Sequence, residues 1–94
     1  MTVRAKFQLQ TIESSMMSRS VRQPDGSLAV ERVEMRTLVL RPVYGNADPE
    51  HENSRFWAAT PSGEIRLGTI NPDAWRHFEI DKAYYIDFTP AEDA

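Results

Sequence analysis

The chain opens on an alternation of apolar and polar residues, the pattern of a β-strand with one buried face. Ile12 breaks this phase, so we predict a β-bulge or bend near Thr11. The apolar positions of the alternation are Val3, Ala5, Phe7 and Leu9.

A second strand follows a turn and is predicted to pair with the first. Residues 23–27, Gln-Pro-Asp-Gly-Ser, supply the residue types that β-turns favour. The next strand starts at Leu28, changes its apolar phase near Glu31 and Arg32, and ends before Pro42 and Gly45. We therefore predict a long N-terminal β-hairpin. Its outer part, residues 14–32, is too polar for burial on both faces and is expected to project as an arm.

Two short helices and two further strands are predicted after the hairpin. Asp48-Pro49 and Asn71-Pro72 each place a capping side chain before a proline, which is typical of a helix start. The first helix is expected to run for about three turns with Phe56 and Ala58 or Ala59 inward. Alternating patterns predict strands at 64–70 and 82–89. Residues 90–94 are predicted to form a frayed acidic C-terminal tail.

This order of elements predicts one domain over residues 1–94, mainly β in an α+β arrangement. So few strands leave exposed edges unless the sheet curls. We therefore favour a small, partly open β-barrel of the OB or SH3-like kind, with the helices at its ends. The alternative is a flat sheet with one face covered by both helices.

Composition excludes some classes of protein. The 94 residues include no cysteine, which rules out disulfides and thiolate metal sites. No apolar stretch approaches the roughly 20 residues that cross a bilayer, and no secretory signal is visible. We therefore expect a cytoplasmic protein that does not bind membranes.

The net charge of −3 conceals two unlike halves. Residues 1–46 hold seven Lys/Arg against four Asp/Glu, and residues 47–94 hold four against ten. Nine of the eleven cations are arginine, which favours bidentate contacts with carboxylates or phosphates. A dipolar chain of this kind suits protein partners, because binding domains for nucleic acid are usually basic overall.

No residue pattern predicts catalysis. The two histidines, His51 and His77, lack metal-ligand spacing, and Ser14, Ser15 and Ser18 have no base nearby in the sequence. The glycines form no phosphate-binding motif. Asp87 is expected to pair with an arginine across the sheet. We predict no enzyme activity, no cofactor and no metal site.

The aromatic and arginine residues are the candidates for partner binding. Phe56 and Trp57 are adjacent on a helix, and Tyr84 and Tyr85 are adjacent on a strand, so one ring of each pair should point away from the core. Exposed Trp, Tyr and Arg dominate protein interfaces and also stack on unpaired bases. A groove between helix and sheet could instead hold Trp57 and Tyr85. The predicted partner-binding residues are Arg19, Arg22, Arg32, Arg36, Trp57 and Tyr85.

Several stretches resemble a family of small proteins from tailed bacteriophages that has no assigned activity. They are residues 3–7, 42–45, 52–53, 56–64 (Phe-Trp-Ala-Ala-Thr-Pro-Ser-Gly-Glu), 71–72 and 84–90 (Tyr-Tyr-Ile-Asp-Phe-Thr-Pro). The arm at residues 19–32 departs from the family by its greater length. The resemblance implies a viral source, and it implies no catalytic residue. From the viral source, the small size, the stability without disulfides and the projecting arm, we expect a location in the virion or the host cytoplasm.

We therefore expect a non-enzymatic phage structural or accessory protein that acts through protein contacts. A minor capsid or head decoration protein, homo-oligomeric or part of a larger assembly, would fit. One alternative is a β-barrel protein that binds single-stranded nucleic acid, against which the pI near 5.3 counts. The other is a small inhibitor of a host defence protein.

Overall fold

A computed structural model describes residues 2–45, 48 and 50–92. Its elements are β1 (Val3–Arg22), β2 (Leu28–Pro42), α1 (Glu52–Trp57), β3 (Ile65–Thr69), α2 (Pro72–Trp75) and β4 (Ala83–Phe88). The strands form one antiparallel sheet in the order β3-β2-β1-β4. The predicted mainly β fold with two short helices is confirmed.

The sheet is open, with β3 and β4 at its opposite edges. β3 pairs with Arg36–Leu40 of β2, and β4 pairs with Val3–Gln8 of β1. Within the described residues no ladder joins β3 to β4, so the OB or SH3-like barrel that we favoured is not supported. Both helices place aromatic side chains over the same face, as in the alternative arrangement.

The hairpin ladder runs from Phe7↔Pro42 to Arg22↔Leu28. Its register shifts between Leu9 and Thr11, at the position where the sequence predicts a bulge. The second phase change, predicted near Glu31 and Arg32, is not a bulge, because the ladder continues there without a shift. Instead, the apolar side chains of β2 move from one face of the sheet to the other.

One face, which we call the covered face, carries the core. Ala5, Phe7, Leu9, Leu38 and Leu40 are buried there. Around them lie half-buried side chains from the helices and outer strands, namely Ile12, Trp57, Ile65, Phe78, Tyr84 and Ile86. The opposite face, which we call the open face, carries Arg4 and Lys6 of β1 opposite Asp87 and Tyr85 of β4.

Helix α1 begins later than the Asp48-Pro49 signal predicts. Its N-cap is His51, whose Nδ1 accepts a hydrogen bond from the backbone N–H of Asn53 at 3.1 Å. Asp48 closes the preceding turn instead, since its Oδ1 accepts from the backbone N–H of Glu50 at 3.0 Å. Pro49 lies outside the described residues. Ala58 ends the helix in the left-handed conformation with φ 53°, so the helix has six residues and not three turns.

Helix α2 follows its sequence signal. The Asn71 side chain accepts from the backbone N–H of Asp73 at 3.0 Å, and Pro72 occupies the first helical turn. Trp75 is buried at the end of this helix. Of the predicted acidic tail at residues 90–94, Asp93 and Ala94 lie outside the described residues.

Asn53 joins α1 to the sheet beyond the end of β2. Its side chain is fully buried. Its Oδ1 accepts from the Lys6 backbone N–H at 2.7 Å, and its Nδ2 donates to the carbonyl oxygens of Lys6 and Val43, each at 2.7 Å. Lys6 and Val43 also share one direct bond, from the Val43 N–H to the Lys6 carbonyl at 3.1 Å, so the amide bridges the other two backbone groups of the pair, the Lys6 N–H and the Val43 carbonyl.

The hairpin continues far beyond the four-stranded region. We call residues 13–35 the ribbon, made of the outer parts of β1 and β2 and the turn at 23–27. The molecule measures 60 × 33 × 19 Å with a radius of gyration of 17.9 Å. A compact chain of this length would have a radius of gyration of about 12 Å. The ribbon therefore gives the molecule its elongated shape.

Asn53→Ala should lower the free energy of unfolding by about 2–4 kcal/mol, because it leaves the Lys6 N–H and the Val43 carbonyl buried without partners. Asn71→Ala is the matched control, since it removes a capping amide that is exposed and should cost about 1 kcal/mol. Urea unfolding of the two variants measures the difference. Equal midpoints would show that the buried amide does not hold α1 to the sheet.

Candidate partner-binding surfaces

The outer edges of the ribbon have no neighbouring strand in the described part of the chain. β4 reaches β1 only as far as Leu9, whose backbone exchanges hydrogen bonds with Lys82 and Asp81 at 3.0 and 2.7 Å. β3 reaches β2 only as far as Arg36. The free edges are therefore residues 10–22 of β1 and residues 28–35 of β2. Free edges of this length are templates for pairing with another strand.

The direction of the free backbone groups follows from the hydrogen bonds at the ribbon tip. Gln23 N–H donates to the Ser27 carbonyl across the hairpin at 2.8 Å. Backbone groups alternate in direction along an antiparallel strand. Beyond the bulge, the backbone groups of odd-numbered β1 residues therefore hydrogen-bond to β2. The backbone groups of even-numbered residues such as Met16 and Ser18 point away from β2, towards the free edge.

Apolar side chains lie exposed on both faces of the ribbon. Met16, Leu28 and Val30 are 53%, 64% and 73% exposed on the side continuous with the covered face. Met17 is on the other side, paired with the half-buried Val33. No helix packs over the ribbon within the described residues, so these side chains are available to a partner.

The arginines predicted for partner binding differ in their surroundings. Arg19 is paired with Glu31 at 2.6 Å on the same face as Met17. Arg36 is paired with Glu34 at 3.1 Å, and its guanidinium lies 4.8 Å from the centroid of the Trp75 ring. It therefore belongs to the packing of α2. Hydrogen bonds from Ser14 and then Arg36 lower the pKa of the Glu34 carboxyl.

Arg22 and Arg32 are the more accessible members of the predicted set. Both are exposed on the same face, and Arg22 makes only a 3.5 Å contact to the Gly26 carbonyl oxygen. Yet the region as a whole is neutral. Residues 13–36 hold four arginines (19, 22, 32 and 36) and four carboxylates (13, 25, 31 and 34). The basic character of the first half of the chain therefore does not form a cationic arm.

Tyr85 is exposed on the open face, as predicted. Its side chain is flanked by the Arg4 guanidinium, 4.6 Å from the ring centroid, and by the Lys6 ammonium at 5.9 Å. Arg4 also makes two hydrogen bonds to Asp87, with Nε–Oδ1 at 2.7 Å and Nη2–Oδ2 at 3.0 Å. Asp87 therefore has the cross-strand arginine partner that the sequence predicts. This pairing neutralises Arg4.

Trp57 is half-buried, which corrects the expectation that its ring is exposed. Its ring packs 6.0 Å from the Phe7 ring, and its Nε1 donates to the Ser62 carbonyl oxygen at 3.1 Å. The exposed ring of the adjacent pair is Phe56, at 42%. Trp57 and Tyr85 lie on opposite faces of the sheet, so the structure does not bring them into one site.

A cleft of about 530 Å³ lies between α1 and the start of β1. Its charged residues have mixed sign, and Arg4 among them is already paired with Asp87. Hydrogen bonding to its own backbone N–H is the main reason that the pKa of Glu52 is lowered, with a smaller contribution from the Tyr85 hydroxyl. The lining residues are Thr2, Val3, Arg4, Glu50, Glu52, Arg55, Phe56 and Tyr85.

Among residues 2–45, 48 and 50–92, no group of three or more His, Asp or Glu side chains is placed to hold a metal ion. None of the helices in that part of the chain is long and apolar enough to span a bilayer. The surfaces that expose strand edges, apolar side chains or an aromatic ring are the ribbon and Tyr85, and these are the candidate sites.

Comparisons with models of protein families, with curated proteins and with solved structures found no significant match to this chain.

Arg4→Gln should raise the pKa of Asp87 towards its ordinary value of 3.8, because the hydrogen bond from Arg4 is the main cause of its lowered pKa. Since the folded-state pKa is the lower one, this pair stabilises the fold above pH 3.8 and loses that contribution as the pH falls through the folded value. Titration of the Asp87 carboxyl carbon by NMR measures the pKa. Lys6→Gln is the control, because it removes the other cation beside Tyr85; an equal shift in both variants would contradict the assignment.

Proposed function

We propose that this chain is a non-enzymatic structural or accessory protein that acts through protein–protein contacts, and that the ribbon is its contact element. The observation that carries the proposal is the pair of free strand edges, residues 10–22 and 28–35, outside the four-stranded region. A strand of another chain can add to such an edge through backbone hydrogen bonds.

The low stability expected of a ribbon with only two strands supports this role. An isolated two-stranded hairpin is marginally stable in water, and a third strand or a packed face is needed to secure it. The ribbon has exposed Met16, Leu28 and Val30, which a partner could cover. Binding would therefore stabilise the same segment that forms the contact.

The charges of the ribbon favour a protein partner over nucleic acid. Arg19 is paired with Glu31, and the ribbon holds three arginines against four carboxylates, a net charge of −1 that becomes zero when the adjacent Arg36 is included. Phosphate binding depends on uncompensated cations and weakens steeply with salt. Tyr85 with Lys6 on the open face is the feature that favours the alternative of single-stranded nucleic-acid binding.

On the basis of the resemblance to small proteins of tailed bacteriophages, we propose that these contacts form in the virion or in the cytoplasm of an infected host. A minor capsid or head decoration protein is the role that we propose first. Inhibition of a host defence protein would use the same contact element against a host chain. Mass spectrometry of purified particles separates these two roles, since only the first predicts the chain in the virion.

Replacing residues 16–34 with Asn-Gly should abolish partner binding and leave the four-stranded region folded. The new turn would connect Ser15 to Met35, which face each other in the ladder, and Asn-Gly is the dipeptide that suits a two-residue hairpin. Crosslinking and affinity purification from the cells in which the protein acts compare this variant with the complete chain. Far-ultraviolet circular dichroism and thermal unfolding check that the variant is folded.

Tyr85→Ala, with the ribbon intact, is the matched control and should retain the protein contacts. If the shortened variant kept every contact of the complete chain, the ribbon would not be the contact element. A salt-dependent fluorescence change on titration with single-stranded oligonucleotide, lost in Tyr85→Ala, would support the nucleic-acid alternative in its place.

A further inference from the structure

The free edge of β1 has a feature that its length alone does not explain, namely a symmetric arrangement of charge. The edge runs over residues 10–22, so its centre is Met16. Glu13 lies three residues before this centre and Arg19 three residues after it. Both side chains are on the open-face side of the ribbon, with Ser15 and Met17.

We propose that two copies of this chain pair antiparallel along this β1 edge, about a two-fold axis at Met16. The inference rests on the proposed function, because it names the partner of the ribbon as a second copy. In this register Glu13 of each copy lies directly opposite Arg19 of the other. Opposite charges on directly facing residues stabilise an antiparallel pair, whereas like charges destabilise it.

The direction of the backbone groups allows this pairing. Even-numbered residues of β1 beyond the bulge point their N–H and C=O groups outward, so Met16 and Ser18 can form the new ladder without breaking a bond to β2. With the two-fold axis at Met16, the free backbone groups of one copy lie opposite the free backbone groups of the other and can hydrogen-bond to them. The dimer would then contain a four-stranded ribbon, β2-β1 of one copy continued by β1-β2 of the other.

The pairing also extends charge contacts that each copy already makes. Arg19 is bonded to Glu31 at 2.6 Å, and Glu13 accepts from Arg66 at 2.7 Å. In the dimer, the Glu31–Arg19 ion pair of one copy would lie beside the Glu13–Arg66 ion pair of the other, with Arg19 next to Glu13. Charges of alternating sign would thus follow one another across the joined sheet.

The free edge of β2 does not offer the same pairing. It runs over residues 28–35, so its centre lies between Glu31 and Arg32. A two-fold axis at Glu31 would place two carboxylates against each other, and one at Arg32 would do the same with two guanidinium groups. Like charges directly opposite each other are unfavourable, so the β1 edge is the one that suits self-association.

Two proline variants test which edge is used. Ser18→Pro removes an outward N–H from the β1 edge, and Val30→Pro removes an outward N–H from the β2 edge, so both leave the hairpin hydrogen bonds in place. We expect the complete chain to sediment as a dimer, with a dissociation constant raised about tenfold or more in Ser18→Pro and unchanged in Val30→Pro. A monomeric complete chain, or equal effects of the two prolines, would overturn the proposal.

Charge exchange tests the register and remains informative if a proline variant fails to fold. Glu13→Lys alone and Arg19→Glu alone each place like charges at both contacts of the axis, and each should be monomeric. An equimolar mixture of the two variants restores opposite charges at both contacts and should form a heterodimer. Glu13→Lys mixed with the complete chain is the control, since one of its two contacts stays repulsive and it should dimerise less. Failure of the variant mixture to dimerise more than either variant alone would overturn the register.

These results separate the inference from the function on which it rests. A monomeric complete chain that still loses its partner when residues 16–34 are replaced would overturn self-pairing and leave the ribbon as a contact element for another protein. A dimer that persists after that replacement would overturn self-pairing along the β1 edge, and it would overturn the proposed function as well if every other contact of the complete chain also persisted.

Discussion

The structure depends on the way a single amide side chain completes the sheet. Just beyond the end of β2, Val43 keeps one direct hydrogen bond to Lys6 of β1, from its N–H to the Lys6 carbonyl at 3.1 Å. Asn53 completes this pair with three hydrogen bonds of 2.7 Å, one to the Lys6 N–H and one to each of the Lys6 and Val43 carbonyls. Because unsatisfied polar groups are costly when buried, these bonds fix the position of α1. Trp57 then packs on Phe7 and closes the core at this end.

The molecule therefore has two parts, a four-stranded region that contains the core and a ribbon whose edges can bind partners. In the four-stranded region, β3, β4 and both helices surround one row of buried side chains, from Ala5 to Leu40. In the ribbon, β1 and β2 continue without a third strand beside them or a helix packed over them in the described residues. A change of stability at the Asn53 end and a change of binding at the ribbon end should therefore be largely independent.

The sequence was sufficient for features that depend on local patterns. Alternation predicted the strands, the break at Ile12 predicted the bulge, and Asn71-Pro72 predicted the start of α2. Asp87 could be expected to pair with a cross-strand arginine, which the structure identifies as Arg4, because charged residues on neighbouring strands commonly meet. These predictions need only the period of a strand or the chemistry of a cap.

Features that depend on distant contacts were not accessible in this way. Asn53 gives no local signal, because its partners Lys6 and Val43 come from other parts of the chain. The choice of Trp57 over Phe56 as the inward ring depends on where the short helix ends. Closure into a barrel could not be decided from strand patterns, since it depends on which edges the last two strands occupy.

The bulge between Leu9 and Thr11 has a consequence for how the protein can vary. Gln10 and Thr11 of β1 lie opposite Val39 alone, and the regular ladder resumes at Ile12↔Leu38. Loss of Gln10 would therefore remove the bulge and leave every ribbon residue opposite its present partner. Loss of one residue from the regular ladder beyond Thr11 would instead shift the remaining pairs by one position and exchange the two sides of that strand. Evolution of this segment is therefore expected to tolerate a change of length at Gln10, and beyond Thr11 to proceed by replacement of side chains.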